Sequence, residues 1–318
     1  MRRTLVTGAT GFVGANLARR LLADGHEVHL VVRPEHATWR IEGLADDVRL
    51  HRADLLDREA TARAVGRVRP EWVFHLAAHG AYSYETDAER IVRTNVLGTL
   101  HLVEACLETG FEALVNTGSS SEYGFKDHPP PENERLEPNS HYAVAKAAAT
   151  LYCRHTARSR GVHLPTLRLY SVYGPWEEPT RLLPTLIRRG HEGRLPPLVD
   201  PSIARDFVYV DDVVEAYLLA AGRPGQEAGA VYNVGTGVQT TIGEVVEVAR
   251  RLLPIREEPQ WGSMPDRRWD TDVWVADNLK IRQVLGWRPG HTFADGLRAM
   301  VEWTRRHRAL LGEDPGRV

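Results

Sequence analysis

Tyr142-Ala143-Val144-Ala145-Lys146 sets a phenol and an ammonium four residues apart. On a helix that spacing brings both to one face, a turn from each other. A free tyrosine has a pKa of about 10, so acid–base work near neutrality needs its anion stabilised, and a neighbouring cation does that. The chain carries 37 Arg and only three Lys, at 126, 146 and 280, which gives Lys146 weight. The alternative is a surface Tyr beside a Lys. Upstream, Val115-Asn116-Thr117-Gly118-Ser119-Ser120-Ser121-Glu122-Tyr123-Gly124 closes a β-branched run with a cluster of hydroxyls. Ligands of open parallel sheets bind where strands end, so these hydroxyls can reach a substrate carbonyl. Ser119 is the predicted hydrogen-bonding partner of Tyr142, although a serine-rich turn also occurs without function.

The segment Thr7-Gly8-Ala9-Thr10-Gly11-Phe12-Val13-Gly14 follows the first apolar run and opens a helical pattern. Gly8, Thr10, Gly11, Phe12, Val13 and Gly14 therefore read as a turn whose backbone can approach a pyrophosphate, with the helix N-terminus favouring its charge. The spacing is GxxGxxG rather than GxGxxG. An NAD site normally has a carboxylate at the end of the second strand for the adenosine ribose. Here Val32 occupies that position and Arg33 follows. A guanidinium pairs with a 2′-phosphate that a carboxylate would repel, so NADP(H) is the expected cofactor and NAD(H) the alternative. Arg40 is a possible second contact, and Arg33 could equally be one of many surface arginines. Asp54 and Leu55, after the third strand, could hold the adenine, or Asp54 could simply end a strand.

Positioning these groups requires a sheet. Strands are expected at Thr4 to Thr7, Glu27 to Val32, Val48 to Arg52, Trp72 to Leu76, Ala113 to Thr117 and Thr166 to Leu169. Most are apolar on both faces, and helical stretches near 12–24, 58–66, 86–108 and 139–160 separate most of them. Two-sided burial is what a parallel sheet covered by helices needs, so the fold class is α/β with a doubly wound parallel Rossmann sheet. After residue 170 prolines and glycines become dense, strands are brief, and helices are expected near 180–190, 210–221, 241–253, 278–284 and 293–310. We read 1–170 as the dinucleotide-binding domain. Residues 171–318 are mainly a smaller mixed α/β substrate domain, with part of 205–240 returning to the first.

Composition bounds the function. Hydrophobic residues are 42%, charged residues 26% and the net charge −2, the balance of an ordinary soluble globular protein. With no block of one sign there is no field to recruit nucleic acid or an anionic membrane. Cys106 and Cys153 lie in helical patterns outside any metal-binding spacing, so no metal site is expected and a reducing compartment fits. No apolar run reaches the roughly 18 residues of a spanning helix, and since Met1-Arg2-Arg3 leads straight into the first strand no signal peptide is expected. The expected location is the cytoplasm.

The motifs together resemble those of the extended short-chain dehydrogenases/reductases that modify nucleotide sugars. The resemblance rests on TGATGFVG at 7–14, HLAAH at 75–79, NVLGT at 95–99, GSSSEYG at 118–124, YAVAK at 142–146, VYGP at 172–175, RDFVYVDDV at 205–213 and NVGTG at 233–237, and covers nearly the whole chain. It implies a nicotinamide cofactor, a nucleoside-diphosphate sugar in the cleft, and Ser119, Tyr142 and Lys146 as catalytic trio. Leu76, Ala77, Ala78, Tyr170 and Val172 would line the cofactor site and Asn95 would brace it. His79, Tyr82, Ser120, Ser121, Ser171, Arg205 and Arg267 would face the substrate. Many relatives have Asn at the position of Ser171, a longer donor to the sugar diphosphate. The aromatic rings of the 79–84 segment could equally be packing, and Trp176, Trp261 and Trp269 could stack on a base or line the domain interface. Similar proteins dimerise through two helices per subunit, here near 86–108 and 139–160.

Three reactions suit this resemblance. A 4,6-dehydratase pattern supplies one or two acids directly after the catalytic Ser/Thr, where this chain has Ser120 and Ser121. Glu122 comes one residue later and, in extended geometry, points to the other side. Dehydration is thus disfavoured. Reduction of a 4-keto-6-deoxysugar nucleotide by NADPH is the expected reaction, in which Tyr142 protonates the incipient alkoxide, Ser119 holds its oxygen, and Lys146 binds the nicotinamide ribose and keeps the Tyr142 pKa low. 4-Epimerisation is the alternative. A redox-sensing or scaffold protein would not need hydroxyl, phenol and ammonium in register.

Overall fold

The computed structural model describes residues 1–82, 84–224, 227–264 and 273–307. Seven parallel strands form the central sheet. They are β1 (Arg3–Thr7), β2 (Glu27–Val32), β3 (Arg49–Arg52), β4 (Trp72–His75), β5 (Ala113–Ser119), β6 (Thr166–Leu169) and, later in the chain, Val231–Val234. From one edge the first six run β3, β2, β1, β4, β5, β6, and Val231–Val234 extends the sheet beyond β6. Sequence order reverses between β1 and β4, and in a doubly wound sheet the ligand crevice lies beyond the strand ends at that point.

Alternating side chains enter two separate cores. On one face Val6, Leu30, Phe74, Val115 and Leu167 pack against α1 (Phe12–Ala23). On the other, Leu5, Val31, Val73 and Leu114 meet α2 (Arg58–Val68), α4 (Gly98–Thr109), which continues from α3 (Ala88–Val92), and α5 (His141–Arg160). Five residues between α3 and α4, Arg93–Leu97, form a π-turn that places Asn95 in the interior. Such bulges re-aim side chains, and the periodicity over 86–108 gives no sign of it.

Beyond β6, β7 (Ser171–Tyr173) leads into α6 (Leu182–His191). Two short strands follow, β8 (Ala204–Arg205) and β9 (Phe207–Tyr209), the latter paired with β7. α7 (Val210–Gly222) returns to the sheet, burying Val213, Val214 and Tyr217 in the same core as α1, and leads to β10, the Val231–Val234 strand. No strand is expected there from the sequence. β11 (Thr240–Thr241) pairs with β8. Then α8 (Ile242–Leu252), α9 (Leu279–Val284) and α10 (Phe293–Arg306) follow. α6, α8 and α10 close a second core around Tyr173, Leu186, Val246 and Leu297. Among the described residues no helix is long and apolar enough to cross a membrane.

Candidate active site

The glycine-rich turn is shaped for a close approach. Gly8 has φ +73°, and a Cβ there would lie 2.5 Å from the Ala77 nitrogen and the Leu76 carbonyl carbon. A Cβ on Gly14 would collide with the Gly8 carbonyl oxygen. Neither position admits a side chain, because the turn packs backbone to backbone against the end of β4 and against itself where α1 begins. This tight turn sets the start of α1 just beyond the end of β1, the place where a helix N-terminus can receive a dinucleotide pyrophosphate.

Behind the turn lies a buried polar relay. His75 sits with Nδ1 2.7 Å from Thr7 Oγ1 and Nε2 2.9 Å from Thr99 Oγ1. Thr99 spends its one hydroxyl proton on the Asn95 carbonyl at 2.6 Å, so it accepts from His75 Nε2–H, and Thr7 donates to Nδ1. Burial, with the charge of Lys146 adding to it, pushes the His75 pKa down to about 3. Thr7 Oγ1 also accepts from the Ala77 amide at 3.2 Å. Asn95 in turn accepts from the His79 amide at 3.0 Å and donates to the His79 carbonyl at 2.7 Å. One chain of bonds thus fixes Leu76 to His79 between the glycine-rich turn and the cleft.

Ser119 ends β5 and caps a 3₁₀ turn, Ser120–Tyr123. Its hydroxyl is 2.7 Å from Ser121 Oγ and accepts from the Ser121 amide at 3.2 Å. It also lies near enough to the Tyr142 phenol to lower its pKa. Tyr142 and Lys146 share one face of α5, whose start is capped by Ser140 accepting from the Ala143 amide. Tyr142 is partly exposed and Lys146 only 4% exposed.

The electrostatics differ from the sequence expectation of a phenol held at low pKa by Lys146. Burial pushes Tyr142 up to about 12, Ser119 pulls the other way, and the charges of Glu122 and Glu85 push further up. Burial also lowers the Lys146 pKa, with Glu122 opposing. Both effects have one cause: the charged form of a group removed from water loses hydration. The protein by itself holds Tyr142 as a neutral proton donor.

Glu122 departs from expectation in its route. The backbone at 120–123 is a 3₁₀ turn, not extended, and it folds Glu122 back into the interior with 0% exposure. Its Oε1 accepts from the Ser119 amide at 2.8 Å and from Thr150 Oγ1 at 2.9 Å, and its Oε2 from Arg168 Nε at 2.8 Å. Arg168 Nη1 donates to Tyr123 Oη, which donates to Asn233 Oδ1 on β10. This carboxylate positions the serine turn and is closed off from the cleft.

The other named residues are distributed as follows. Arg33 is exposed after β2 and its side chain has no partner among the described residues. Arg40 does not serve as a second phosphate contact. It is buried, and its guanidinium donates to the Trp176 carbonyl at 2.8 Å, the Thr10 carbonyl at 3.3 Å and Glu178 Oε2 at 3.1 Å. Asp54 is exposed and receives the Leu56 amide, while Leu55 packs in the sheet core. Ala78 is exposed beside partly exposed Leu76 and Ala77. Tyr170 is buried, and Ser171 and Val172 are partly exposed on or beside β7. Tyr82 stacks on Tyr84 at 5.4 Å, and burial raises its pKa. Ser120 is buried and Ser121 partly exposed. Arg205 donates to the Ala204 carbonyl and lies 5.8 Å over the Trp274 ring. Arg267 and Trp269 lie outside the described residues. Trp176 takes the interface role: Arg19 of α1 lies 3.9 Å over its ring and Trp303 of α10 stands 5.2 Å away. Trp261 is exposed.

Several groups escaped the sequence reading because no spacing marks them. Glu85 pairs with His79, Asp206 accepts four hydrogen bonds from Thr236, Gly237 and Ala276, and buried Glu177, its pKa pushed up to about 7 by burial, faces Arg181. Each acquires its partner from a distant or irregular segment. Among the described residues no cluster could hold a metal ion.

A family model described as the NAD dependent epimerase/dehydratase family matches residues 4–235, from β1 through the end of β10. The chain belongs to this family. Its members are enzymes, and this enzyme is 34% identical to a UDP-glucose 4-epimerase of Mycolicibacterium smegmatis, over 95% of this chain and 98% of that one. It is 33% identical to a dTDP-glucose 4,6-dehydratase of Streptomyces griseus, over 96% and 94% of the two chains. The solved structure of MoeE5 in complex with UDP-glucose and NAD superposes with a TM-score of 0.83 at 34% identity, covering 95% of this chain and 98% of that one. This epimerase/dehydratase-family enzyme therefore works with a nicotinamide dinucleotide.

Proposed function

We propose that this enzyme is a nucleotide-sugar 4-epimerase that oxidises C4 of a nucleoside-diphosphate hexose and returns hydride to the opposite face of the ketone. One observation carries the reading. Ser119 closes β5 and Tyr142 and Lys146 share one face of α5, while the carboxylate nearest to Ser119 in sequence, Glu122, is fully buried on Arg168, Thr150 and the Ser119 amide. Redox at an alcohol carbon needs that trio. Elimination of water needs a free acid and base as well, and Ser120 and Ser121 stand where the dehydratase pattern has them.

The turn of Gly8, Gly11 and Gly14, the Leu76–Ala78 strip and Lys146 would hold the dinucleotide, the glycines permitting the close packing that brings the start of α1 to the strand ends. When bound, its nicotinamide supplies hydride transfer to and from C4. Tyr142 would take the C4 hydroxyl proton during oxidation and give one back on return. Ser119 would hold the C4 oxygen throughout, by a hydrogen bond that strengthens as charge develops there. Burial keeps the phenol protonated, so oxidation draws on positive charge brought by the oxidised cofactor, added to Lys146. Incubation with UDP-glucose or dTDP-glucose and catalytic NAD should yield the C4 epimer with no net change in reduced-cofactor absorbance. Absence of any C4-inverted product from nucleoside-diphosphate hexoses would refute the assignment.

Val32 and Arg33 favour a second reading, NADPH-dependent reduction of a 4-keto-6-deoxysugar nucleotide. No carboxylate ends β2, and Arg33 is exposed and unpartnered among the described residues. Stoichiometric loss of NADPH with a 4-keto-6-deoxysugar nucleotide separates this from epimerisation. A homodimer belongs to the same reading: Val92, Leu97, Val144 and Leu151 are exposed apolar residues on or between α3, α4 and α5, a face that a second copy would cover.

A further inference from the structure

Three segments from different parts of the chain meet over the start of α1. Arg40, between β2 and β3, donates to the Thr10 carbonyl of the glycine-rich turn at 3.3 Å, to the Trp176 carbonyl at 2.8 Å and to Glu178 Oε2 at 3.1 Å. Its ion pair with Glu178 is covered, the side chains 7% and 10% exposed. Asn16 of α1 donates to the Pro175 carbonyl at 2.9 Å, and Arg19 of the same helix lies 3.9 Å over the Trp176 ring. Residues 175–178 belong to the connection from β7 to α6, which is thereby tied down beside the glycine-rich turn. Further along, the connection nears the phenol. Arg181, the N-cap of α6, carries a charge that reaches both Tyr82 and Tyr142, and Arg40 and Glu178 also act on Tyr82. The connection therefore runs from the glycine-rich turn to the neighbourhood of Tyr142, a path that crosses the crevice.

The crossing is under opposing forces. Trp176 has φ +69°, a left-handed conformation that a residue with a side chain rarely adopts and that persists only where its surroundings impose it. Glu177 is buried, and its Oε2 has no hydrogen-bond partner among the described residues. Both features weaken the closed arrangement, and the bonds from Asn16, Arg19 and Arg40 hold it. A segment balanced in this way can exist in two arrangements. We propose that residues 175–178 form a strap that gates the dinucleotide site, with Arg40 as its latch: the strap must leave Arg40 before a dinucleotide enters or departs. This rests on the reading that the dinucleotide lies along the glycine-rich turn beside Tyr142. The latch joins protein to protein and touches no reacting atom, so breaking it favours opening in the free and the bound enzyme alike. A change that acts equally on both states alters rates and leaves affinity where it was. An arginine that merely shaped the turn would act on the bound state alone.

The test reads both rates. Binding of NADH and NADPH to the wild-type enzyme and to Arg40→Met is followed by stopped-flow fluorescence, and release by mixing each complex with excess oxidised cofactor. In Arg40→Met the association and dissociation rate constants should both rise by about tenfold, the scale of losing a hydrogen-bonded ion pair, while Kd stays within a factor of about two. Hydrogen exchange over 175–181 should quicken by a similar factor, with exchange in β5 as in the wild type. Should Arg40→Met fail to fold, Glu178→Gln decides by the same criteria. It keeps an acceptor for Arg40 and drops the charge, so both rates should rise by about threefold. A rise in dissociation alone, with Kd weakened in proportion, would make Arg40 a support of the turn and overturn the gate. Unchanged rates in a folded variant would overturn it as well. Failure of both dinucleotides to bind the wild type would overturn the gate together with the placement of the cofactor on the glycine-rich turn.

Discussion

Arg168 and Glu122 form an ion pair of 2.8 Å, with side chains 3% and 0% exposed, directly beneath the serine turn that carries Ser119. A buried pair is a poor source of net stability, because desolvation of both charges offsets their attraction. Breaking it by removing one partner, however, leaves a charge in the interior at a cost of about 3–5 kcal/mol. Arg168→Met should therefore lower unfolding free energy by about that amount, read from urea denaturation. Adding Glu122→Gln to it should recover part of the loss, since the two sites are coupled. Equal losses in the single and double variants would contradict this.

Tyr142→Phe removes the only proton that the phenol can exchange and leaves the helix and the glycine cradle as they are. Turnover should fall by roughly 10²–10⁴-fold, while dinucleotide affinity measured by fluorescence titration stays within a factor of about two. A variant that turned over like the wild type would remove Tyr142 from the chemistry.

Arg33 projects from the end of β2 without a partner among the described residues. Its replacement should leave stability untouched. Arg33→Ser should weaken NADP(H) binding by about tenfold, the scale of one charge-assisted contact, and leave NAD(H) binding unchanged. Parallel titrations with the two cofactors decide it, and equal effects on both would assign Arg33 to the surface.

His75 carries a pH signature. Burial depresses its pKa to about 3, against about 6.5 in an unfolded chain. Between those values the unfolded state binds a proton that the folded state refuses, so stability rises with pH across the window. The contribution is complete above about pH 6.5 and is lost as the pH falls towards 3, amounting to roughly 2 kcal/mol by pH 5. Denaturation of wild type and His75→Gln at pH 7 and pH 5 should show a shallower loss in the variant. The slope is the informative quantity, because the substitution also disturbs the bonds to Thr7 and Thr99.

The parallel sheet and the shared helix face of Tyr142 and Lys146 were readable in the sequence for the same reason. Two-sided apolar runs such as Glu27–Val32 have few other places to go than a covered sheet, and the four-residue step from Tyr142 to Lys146 is a local property of one helix. The positions of glycines in the first turn likewise follow from local geometry, since Gly8 must adopt positive φ. Local signals did not extend to the strand at Val231–Val234, whose place beside β6 depends on the packing of α7 against α1.

What only the tertiary structure decided is which polar groups meet. Sequence left Glu122 in extended backbone and Arg40 as a possible second phosphate contact, whereas the fold buries the first on Arg168 and the second on Trp176, Thr10 and Glu178. It also joined His79 to Glu85 and Thr7 to His75 to Thr99, partners that no periodicity announces. Backbone preference and hydrophobic period act over a few residues and are written in the chain. Charge pairing and the rise of the Tyr142 pKa depend on how much water is excluded and what lies across the gap, and that is set only when distant segments pack.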